Sequence, residues 1–545
     1  MKDKLIVQIK DAVTQLYNLD VEPEVSRPDA EFGDYTTNVA LQLAGRLGGN
    51  PREIAETLSQ RLKGDDIKKV DVAGPGFINI TLSDSALVST FSRELSKQRQ
   101  GDTVVIETNN PNPFKAMHIG HAFNSILGDT IANLLEASGA KTYRVSYHGD
   151  VGLHVGKSMY SLLKFAAGDV GKLDSVPEGE RNSFMSKMYA DGSKAYKENE
   201  AAKAEIDELT RQSFTREDQL YSSIYDKVFD WSFVQIDRDV ARLGNKPVER
   251  KFLERDAEVR GVKIVQDNSP KVFQESDGAL VFKGSDHGSF DNVFISNRGT
   301  GLYAARDLGL IQLKNEQYHP LKSYIVTAEE QRAYFIGVLA AAELCGLEAA
   351  GGTTNISTGT VKLTTGKMSS RDGEVVEIGW LFDQVAEAIK ARGGEPDDQL
   401  VAGVLRYGFL RIRIGGDVIF DINEAVSLQG NSGPYLQYAH ARARSILAKA
   451  NSKHTEISDL QIDERSLARK IGQYTEVVDL ATEELMPHHI CTYLYELAQE
   501  FNRFYENNRV IGEERQELRL SLVAAYANKL RSGLGLLGIK APERM

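Results

Sequence analysis

Hydrophobic positions along this chain recur at two spacings, every second residue in some stretches and every third or fourth in others. The changeovers divide it into three segments. Over residues 1–95 a helical opening leads to a short β-like run, Gly76-Phe77-Ile78-Asn79-Ile80-Thr81-Leu82, introduced by the turn Ala73-Gly74-Pro75-Gly76. The polar stretch Ser96-Lys97-Gln98-Arg99-Gln100-Gly101-Asp102 then reads as a linker. Next, residues 103–107 form a short apolar strand, followed by the proline-broken loop Asn110-Pro111-Asn112-Pro113 and a helix from about His121. Phe123, Ile126, Leu127, Ile131, Leu134 and Leu135 repeat at helical spacing, Gly139 marks the helix end, and residues 141–147 give another strand. This is a βαβ unit, the building block of a parallel, Rossmann-like sheet.

Between about 160 and 290 the sequence turns more polar, with helices predicted over 198–215 and 218–243, and it reads as an insertion. Strand patterns return at 323–326 and 359–363. From about 398 to 545 strand signals almost vanish. Asn431-Ser432-Gly433-Pro434 predicts a helix start, with Pro434 suited to the first turn and Tyr435, Tyr438, Ala439 and Ile446 forming an apolar face. The expected architecture is α/β: a Rossmann-like parallel-sheet domain at 96–397, an N-terminal α+β domain at 1–95 and a C-terminal all-α bundle at 398–545.

A length of 545 residues agrees with about three domains at the usual ~100–200 residues each. No apolar run approaches the ~20 residues that span a bilayer, so no membrane partner is expected. The start carries an early acid, Asp3, and lacks a signal-peptide pattern, which predicts a cytoplasmic protein. Cys345 and Cys491 stand far apart and make neither a cysteine-rich zinc site nor a disulfide framework. A net charge of −12 argues against indiscriminate nucleic-acid binding, DNA included, while leaving room for a specific RNA on a local basic face.

The chemistry concentrates at His118-Ile119-Gly120-His121, where a strand hands over to a helix. Helix N-termini expose unpaired N–H groups that favour phosphate, Gly120 lets a nucleotide approach the backbone, and two imidazoles can donate to a phosphate as charge builds. A second element, Gly366-Lys367-Met368-Ser369-Ser370-Arg371-Asp372-Gly373, is a glycine-bounded loop whose Lys367 and Arg371 could close over a triphosphate.

In order and separation these two elements resemble the paired signature motifs of class I aminoacyl-tRNA synthetases. The surrounding residues resemble the arginyl-tRNA synthetases: the approach 107–118, the segment 147–156, Leu302-Tyr303-Ala304-Ala305-Arg306-Asp307-Leu308-Gly309, the glutamine of Thr327-Ala328-Glu329-Glu330-Gln331, and the stretches 433–442 and 534–545. The resemblance covers nearly the whole chain and is loose only over about 160–290. It implies ATP contacts from His118, Gly120, His121, Lys367, Met368 and Ser369. The general class pattern offers a second lysine where this chain has Ser370; Lys115, just before the first motif, is the expected replacement, which makes Lys115, His118, His121 and Lys367 the catalytic set.

A guanidinium presents five donors and stays charged, so its pocket needs acceptors. Glu107, Tyr303 and Asp307 can supply them, and Tyr303 and Asp307 lie four apart on one helix face. The resemblance assigns Asn112 and Gln331 to the α-amino group. His148 and Asp150 fit a purely structural Gly-Asp-x-Gly loop as well as a functional one. From Ala425 to Thr455 there is no acid, while Arg442, Arg444, Lys449 and Lys453 lie on or near one helix beside Tyr435, Tyr438 and His440. That combination of charge and stacking surface suits unpaired RNA bases, and the resemblance makes the bundle an anticodon-binding domain. A solvated helix face with its tyrosines in the core fits the same pattern. Phe32-Gly33-Asp34-Tyr35 resembles the family's second tRNA-contacting module.

The resemblance further implies L-arginine, ATP with Mg2+ and tRNA(Arg) as reactants, a monomer, no tightly bound cofactor and no metal site in the protein. Enzymes of this class for another amino acid are the nearest alternative. Cysteine is disfavoured by the missing zinc ligands, and glutamate by acids in the pocket. A non-catalytic tRNA-binding relative would have no need of Lys115, Lys367 and the paired histidines. A small-molecule adenylyltransferase would have no need of the C-terminal bundle.

Overall fold

The computed structural model describes residues 1–364, 376–450 and 459–544. The N-terminal segment carries an antiparallel sheet of β1 (Val25–Ser26), β2 (Tyr35–Thr37), β3 (Ile67–Ala73) and β4 (Phe77–Leu82), in the order β1-β2-β4-β3. The expected strand is β4, which buries Ile78, Ile80 and Leu82. Its hairpin partner β3 escaped sequence reading because Lys68, Lys69 and Asp71 break the apolar alternation; β3 is an edge strand, where charge is tolerated and protective.

The central sheet is parallel throughout and contains β5 (Thr103–Asn109), β6 (Lys141–His148) and β7 (Arg250–Leu253). A small antiparallel sheet of β8 (Gln274–Ser276), β9 (Ala279–Phe282) and β10 (Asn292–Ile295) lies outside it. β11 (Lys322–Ala328) and β12 (Thr353–Thr358) complete the order β12-β11-β5-β6-β7. The predicted βαβ unit is β5, the helix Ile119–Ala137 and β6. β6 and β7 extend the sheet on one side of β5, and β11 and β12 on the other. The order therefore reverses between β5 and β11, and the crevice past the carboxyl ends of those two strands is where such sheets bind ligands.

Two expectations are corrected here. Strand β7 falls inside the stretch read as an insertion, yet it pairs with β6 from Val145↔Arg250 to His148↔Leu253. Its Arg250 and Lys251 hid it, and it too is an edge strand. The strand predicted at 359–363 is not in the central sheet: β13 (Val361–Leu363) pairs with β14 (Val418–Phe420), and β12 fills the place beside β11. The predicted helices are present as Glu200–Thr215 and Gln219–Arg242; with Leu153–Ala166 and Arg181–Glu198 they enclose a separate core around Met159, Leu162, Met185, Ile206 and Tyr225.

Beyond Asp398 the elements among the described residues are helical apart from β14, with long helices Gly433–Ala448, His488–Asn507 and Gln516–Leu536. Ser432 caps the first of these by accepting the Tyr435 N–H, and Pro434 sits in its first turn, as predicted. The N-terminal sheet docks on this bundle through Arg27, which donates twice to Glu476 at 2.9 Å, and through Arg465, 2.6 Å from the buried Asp34. Among the described residues no helix is long and apolar enough to cross a membrane.

Candidate active site

The loop after β5 holds a bulky residue in an unfavourable conformation. Phe114 has φ +66° and is fully buried, its N–H donating to Ser232 Oγ at 3.0 Å and its carbonyl accepting from Ser158 Oγ at 2.9 Å. Left-handed backbone in a non-glycine aromatic costs energy and persists only where the surroundings impose it. The helices of the polar segment impose it here, and the next residue, Lys115, is thereby aimed at the head of the Ile119 helix.

At that head His118 is the N-cap, and its Nδ1 accepts the His121 N–H at 3.3 Å while His121 Nδ1 accepts the His118 N–H at 3.4 Å. This reciprocal capping stacks the two rings 3.6 Å apart. Burial, with the Lys115 charge adding to it, pushes His118 down to about 4. Burial pushes His121 well below its ordinary value, helped by His118 and Lys115. Both rings are therefore neutral at pH 7, and with each Nδ1 accepting, each Nε2 carries the proton. The pair offers two neutral donors beside a helix N-terminus, an arrangement suited to phosphate oxygens. Lys115 is itself lowered by burial and raised by Glu254. Ile119 N–H donates to Val376 O and Ile378 N–H to Met117 O, so the chain returning from the second signature element is anchored to the first. Lys367, Met368 and Ser369 lie outside the described residues.

The amino-acid candidates gather at the same crevice. Tyr303 is 64% exposed, and Asp307, one turn further along the helix Tyr303–Tyr318, is half-buried. A side chain entering past Tyr303 thus meets a carboxyl at the base. Asp307 accepts from Tyr334 Oη at 2.5 Å, and burial raises its pKa to about 7. Glu107 is not free: Oε1 is 2.6 Å from the buried Lys314 ammonium and Oε2 accepts from Asn110 at 2.8 Å. As an acceptor for a cation Glu107 is already neutralised, which leaves Asp307 as the exchangeable acid. Asn112 Oδ1 accepts the Gly149 N–H at 2.9 Å. Gln331 is exposed where β11 passes into the helix Arg332–Leu344. Among the described residues no cluster of three or more His, Cys, Asp or Glu is placed to hold a metal.

Sequence reading missed four neighbours. Lys314 follows Asp307 by seven residues on the same helix face, and Tyr334 follows Gln331 by three, so helical spacing could have found both. Glu254 and Arg306 could not be found that way. They meet only because the helices Glu254–Asp267 and Tyr303–Tyr318 touch backbone to backbone: a Cβ at Gly261 would stand 1.7 Å from Ala305 O, and one at Gly309 1.8 Å from Ala257 O. Of the two residues left open by the sequence, His148 lies buried between Pro111 O and Ser146 Oγ, and Asp150 is buried against Arg255.

The RNA candidates separate. His440 is fully buried with Nδ1 2.8 Å from Pro542 O, so its expected stacking on RNA is corrected: it holds the chain's C-terminal stretch instead. Tyr438 is 44% exposed and is not on the core face assigned to it, because position 438 points away from the buried Leu436, Ala439 and Ala443. Tyr435 is half-buried and accepts from Asn502 at 2.8 Å. Arg442 lies 4.4 Å over the Tyr505 ring, and Arg444 is 2.6 Å from Glu543.

Comparison with known proteins agrees with this geometry. Residues 3–82 match the arginyl tRNA synthetase N terminal domain, 84–399 the class I (R) tRNA synthetase catalytic domain, and 436–545 the DALR anticodon binding domain. The chain belongs to the arginyl-tRNA synthetase family. The arginine–tRNA ligase of Thermobifida fusca is 30% identical over 565 residues, spanning 96% of each chain. The structure of Thermus thermophilus arginyl-tRNA synthetase superposes with a TM-score of 0.83 at 25% identity over the whole of both chains. That of Plasmodium falciparum arginyl-tRNA synthetase shares the fold, with a TM-score of 0.80 at 19% identity. Both β5 and β11, which flank the crevice, lie within the stretch that matches the class I (R) catalytic domain.

Proposed function

We propose that this chain performs arginine–tRNA ligation at the β5–β11 crevice, and that the stacked His118–His121 pair at the helix head is the feature that carries the reaction. The arginine carboxylate attacks the α-phosphate of ATP, pyrophosphate leaves, and the 3′-terminal adenosine of tRNA(Arg) then takes the arginyl group from the adenylate. No side-chain nucleophile is needed, so positioning and electrostatics supply the rate. His118 and His121 donate through Nε2 to phosphate oxygens, and Lys115 and Lys367 bring positive charge to the same groups. Gly120, Met368 and Ser369 complete the ATP contacts. Tyr303 and Asp307 receive the guanidinium, with Glu107 holding that pocket's shape through Lys314. Asn112 and Gln331 serve the α-carbon substituents.

Magnesium enters as part of the ATP complex, held by phosphates and water. Tyr438, with Tyr435, Arg442 and Arg444 around it, is the RNA-facing part of the Gly433–Ala448 helix; its exposure beside a basic, acid-free stretch supports this. A monomer in the cytoplasm belongs to the same reading, as the family resemblance implies.

The test is ATP-dependent charging of total tRNA with each labelled amino acid, with pyrophosphate exchange measured with and without tRNA. Charging with arginine alone is the expected result. Charging with another amino acid would overturn the pocket assignment, and tRNA binding without charging of any amino acid would overturn the enzyme.

A further inference from the structure

The two ends of the central sheet are protected differently. An unpaired strand edge presents a row of backbone donors and acceptors that invites pairing, and folded chains blunt it with charge, proline or a bulge. β7 carries Arg250 and Lys251, and β3 of the N-terminal sheet carries Lys68, Lys69 and Asp71 with a register shift between Ile67 and Lys69. β12, at the opposite end of the central sheet, has none of these devices. Its residues Thr353-Thr354-Asn355-Ile356-Ser357-Thr358 are uncharged, and they pair with β11 in unbroken register from Ser323↔Thr353 to Ala328↔Thr358. On the outer side no described residue bonds to the backbone of 353–357.

That edge faces a walled groove. A cleft of about 1170 Å³ is lined along one side by residues 353–357. The helix Arg332–Leu344 forms one wall through Phe335, Ile336 and Leu339, whose spacing puts them on one face. Ile336 is 41% exposed, as a helix residue is where the sheet stops one strand short of it. The opposite wall is Ile414, Leu485 and Met486. Leu485 holds a left-handed φ of +56° just past the helix Tyr474–Glu483, in a turn closed by the Met486 N–H donating to Ala481 O at 2.9 Å. Glycine is the usual residue there; a leucine costs conformational energy and places an apolar side chain on the cleft. The charged lining is two acids, Glu329 and Glu484, against Arg332 alone, which disfavours a phosphate backbone.

We infer that this cleft takes an extended peptide segment of a partner protein, which adds to β12 as a sixth strand of the central sheet. Six residues at ~3.3 Å each span about 20 Å, so a peptide of about six residues satisfies the whole edge. Its successive side chains point to opposite faces, and both faces meet apolar walls. The segment that fits is therefore uncharged and rich in β-branched and aromatic residues at successive positions, like a strand buried on both sides. Main-chain bonds to the edge supply affinity, and the two walls select the side chains. The cleft uses none of the residues assigned to ATP, arginine or RNA.

The experiment uses the full-length protein and capped eight-residue peptides with Val, Ile, Thr or Phe at the six central positions between flanking lysines, read by fluorescence anisotropy and hydrogen exchange. The best binder should slow exchange in residues 353–358. N-methylation of its central amides keeps the side chains and removes the donors, and should weaken binding about ten- to a hundredfold. Thr354→Lys, which gives this exposed position the kind of charge that guards β7, should weaken binding about tenfold or more with an unchanged unfolding midpoint. No peptide binding below about 1 mM would overturn the inference. So would equal binding of the N-methylated peptide, because the walls would then hold apolar groups without strand pairing. Single-stranded RNA protecting 353–358 where the peptides do not would make the cleft an RNA surface, and a concentration-dependent dimer protecting them would give the edge to a second copy; either result overturns the inference. If Thr354→Lys fails to fold, the N-methylated comparison on the wild type decides.

Discussion

Arg406 in the helix Asp398–Leu410 is fully buried, and replacing it with methionine perturbs how the bundle meets the catalytic domain. Its guanidinium donates to Leu537 O at 2.6 Å, Asn245 Oδ1 at 2.7 Å, Asp129 Oδ2 at 2.8 Å, Leu243 O at 3.0 Å and Thr130 Oγ1 at 3.1 Å. Asp129 and Thr130 belong to the helix that begins at His118 and His121, and Leu537 closes the last helix of the bundle. Removing one partner of a buried ion pair costs about 3–5 kcal/mol. Asp129 keeps Arg144 Nε at 3.1 Å, which favours the lower end of that range. The carbonyls of Leu243 and Leu537 lose their guanidinium donor at about 1 kcal/mol each or somewhat more. Arg406→Met should therefore lose about 5 kcal/mol, against a usual total of about 5–15. At about 2–4 °C per kcal/mol for a unit of ~150–250 residues, the unfolding midpoint should fall by about 10–20 °C. Differential scanning calorimetry reads this directly, and hydrogen exchange should show lost protection in both the Ile119–Ala137 and Gln516–Leu536 helices. A midpoint within about 3 °C of wild type would refute the reasoning. Asp129→Asn supplies the cross-check: additive losses in the double variant would mean that the pair is not coupled.

Other consequences follow from the same geometry. Arginine binding should weaken as pH falls below about 7, because burial raises the Asp307 pKa to about 7 and a protonated carboxyl attracts no guanidinium. The groups facing it are Tyr334, the Glu107–Lys314 pair and the Glu254–Arg306 pair. Calorimetry at pH 6.5 in two buffers of different ionisation heat should detect proton release on binding, and zero release would refute this. For the free protein the sign is opposite: a carboxyl whose folded pKa exceeds its unfolded value of 3.8 favours folding below pH ~4, and that contribution is lost as pH rises through about 7. His118→Ala should keep arginine affinity while turnover falls by about 10²–10³, the effect of removing one preorganised donor, and unchanged turnover in a charging assay would sink the assigned role. Since burial holds His118 near 4 and pushes His121 well below its ordinary value, the pH–rate profile of the wild type should show no inflection from either between pH 5.5 and 8. Lys314→Met should cost about 3–5 kcal/mol by stranding Glu107 in the core, and Glu107→Gln should restore part of that loss; a double variant no more stable than Lys314→Met would count against the pairing.

Much of this protein is written in local pattern. The βαβ unit from β5 to β6, the helix Gln219–Arg242, the Ser432-capped helix and the histidine pair at a helix head depend on periodicity and capping within about a dozen residues, and all are legible without the structure. The strands β3 and β7 were hidden because an edge strand does not need the apolar alternation that betrays a central one. Tertiary structure alone decided which polar residues are free to act. Glu107 reads as a ligand until Lys314, 207 positions away, neutralises it. His440 reads as a stacking surface until the chain's end folds over it. Glu254 reads as one acid among many in a polar stretch until two helices, touching at Gly261 and Gly309, set it beside Arg306. Secondary structure follows from neighbours in sequence. The charge and partner of a buried side chain follow from topology, because ion pairing and desolvation act through space over a few ångströms, regardless of separation along the chain.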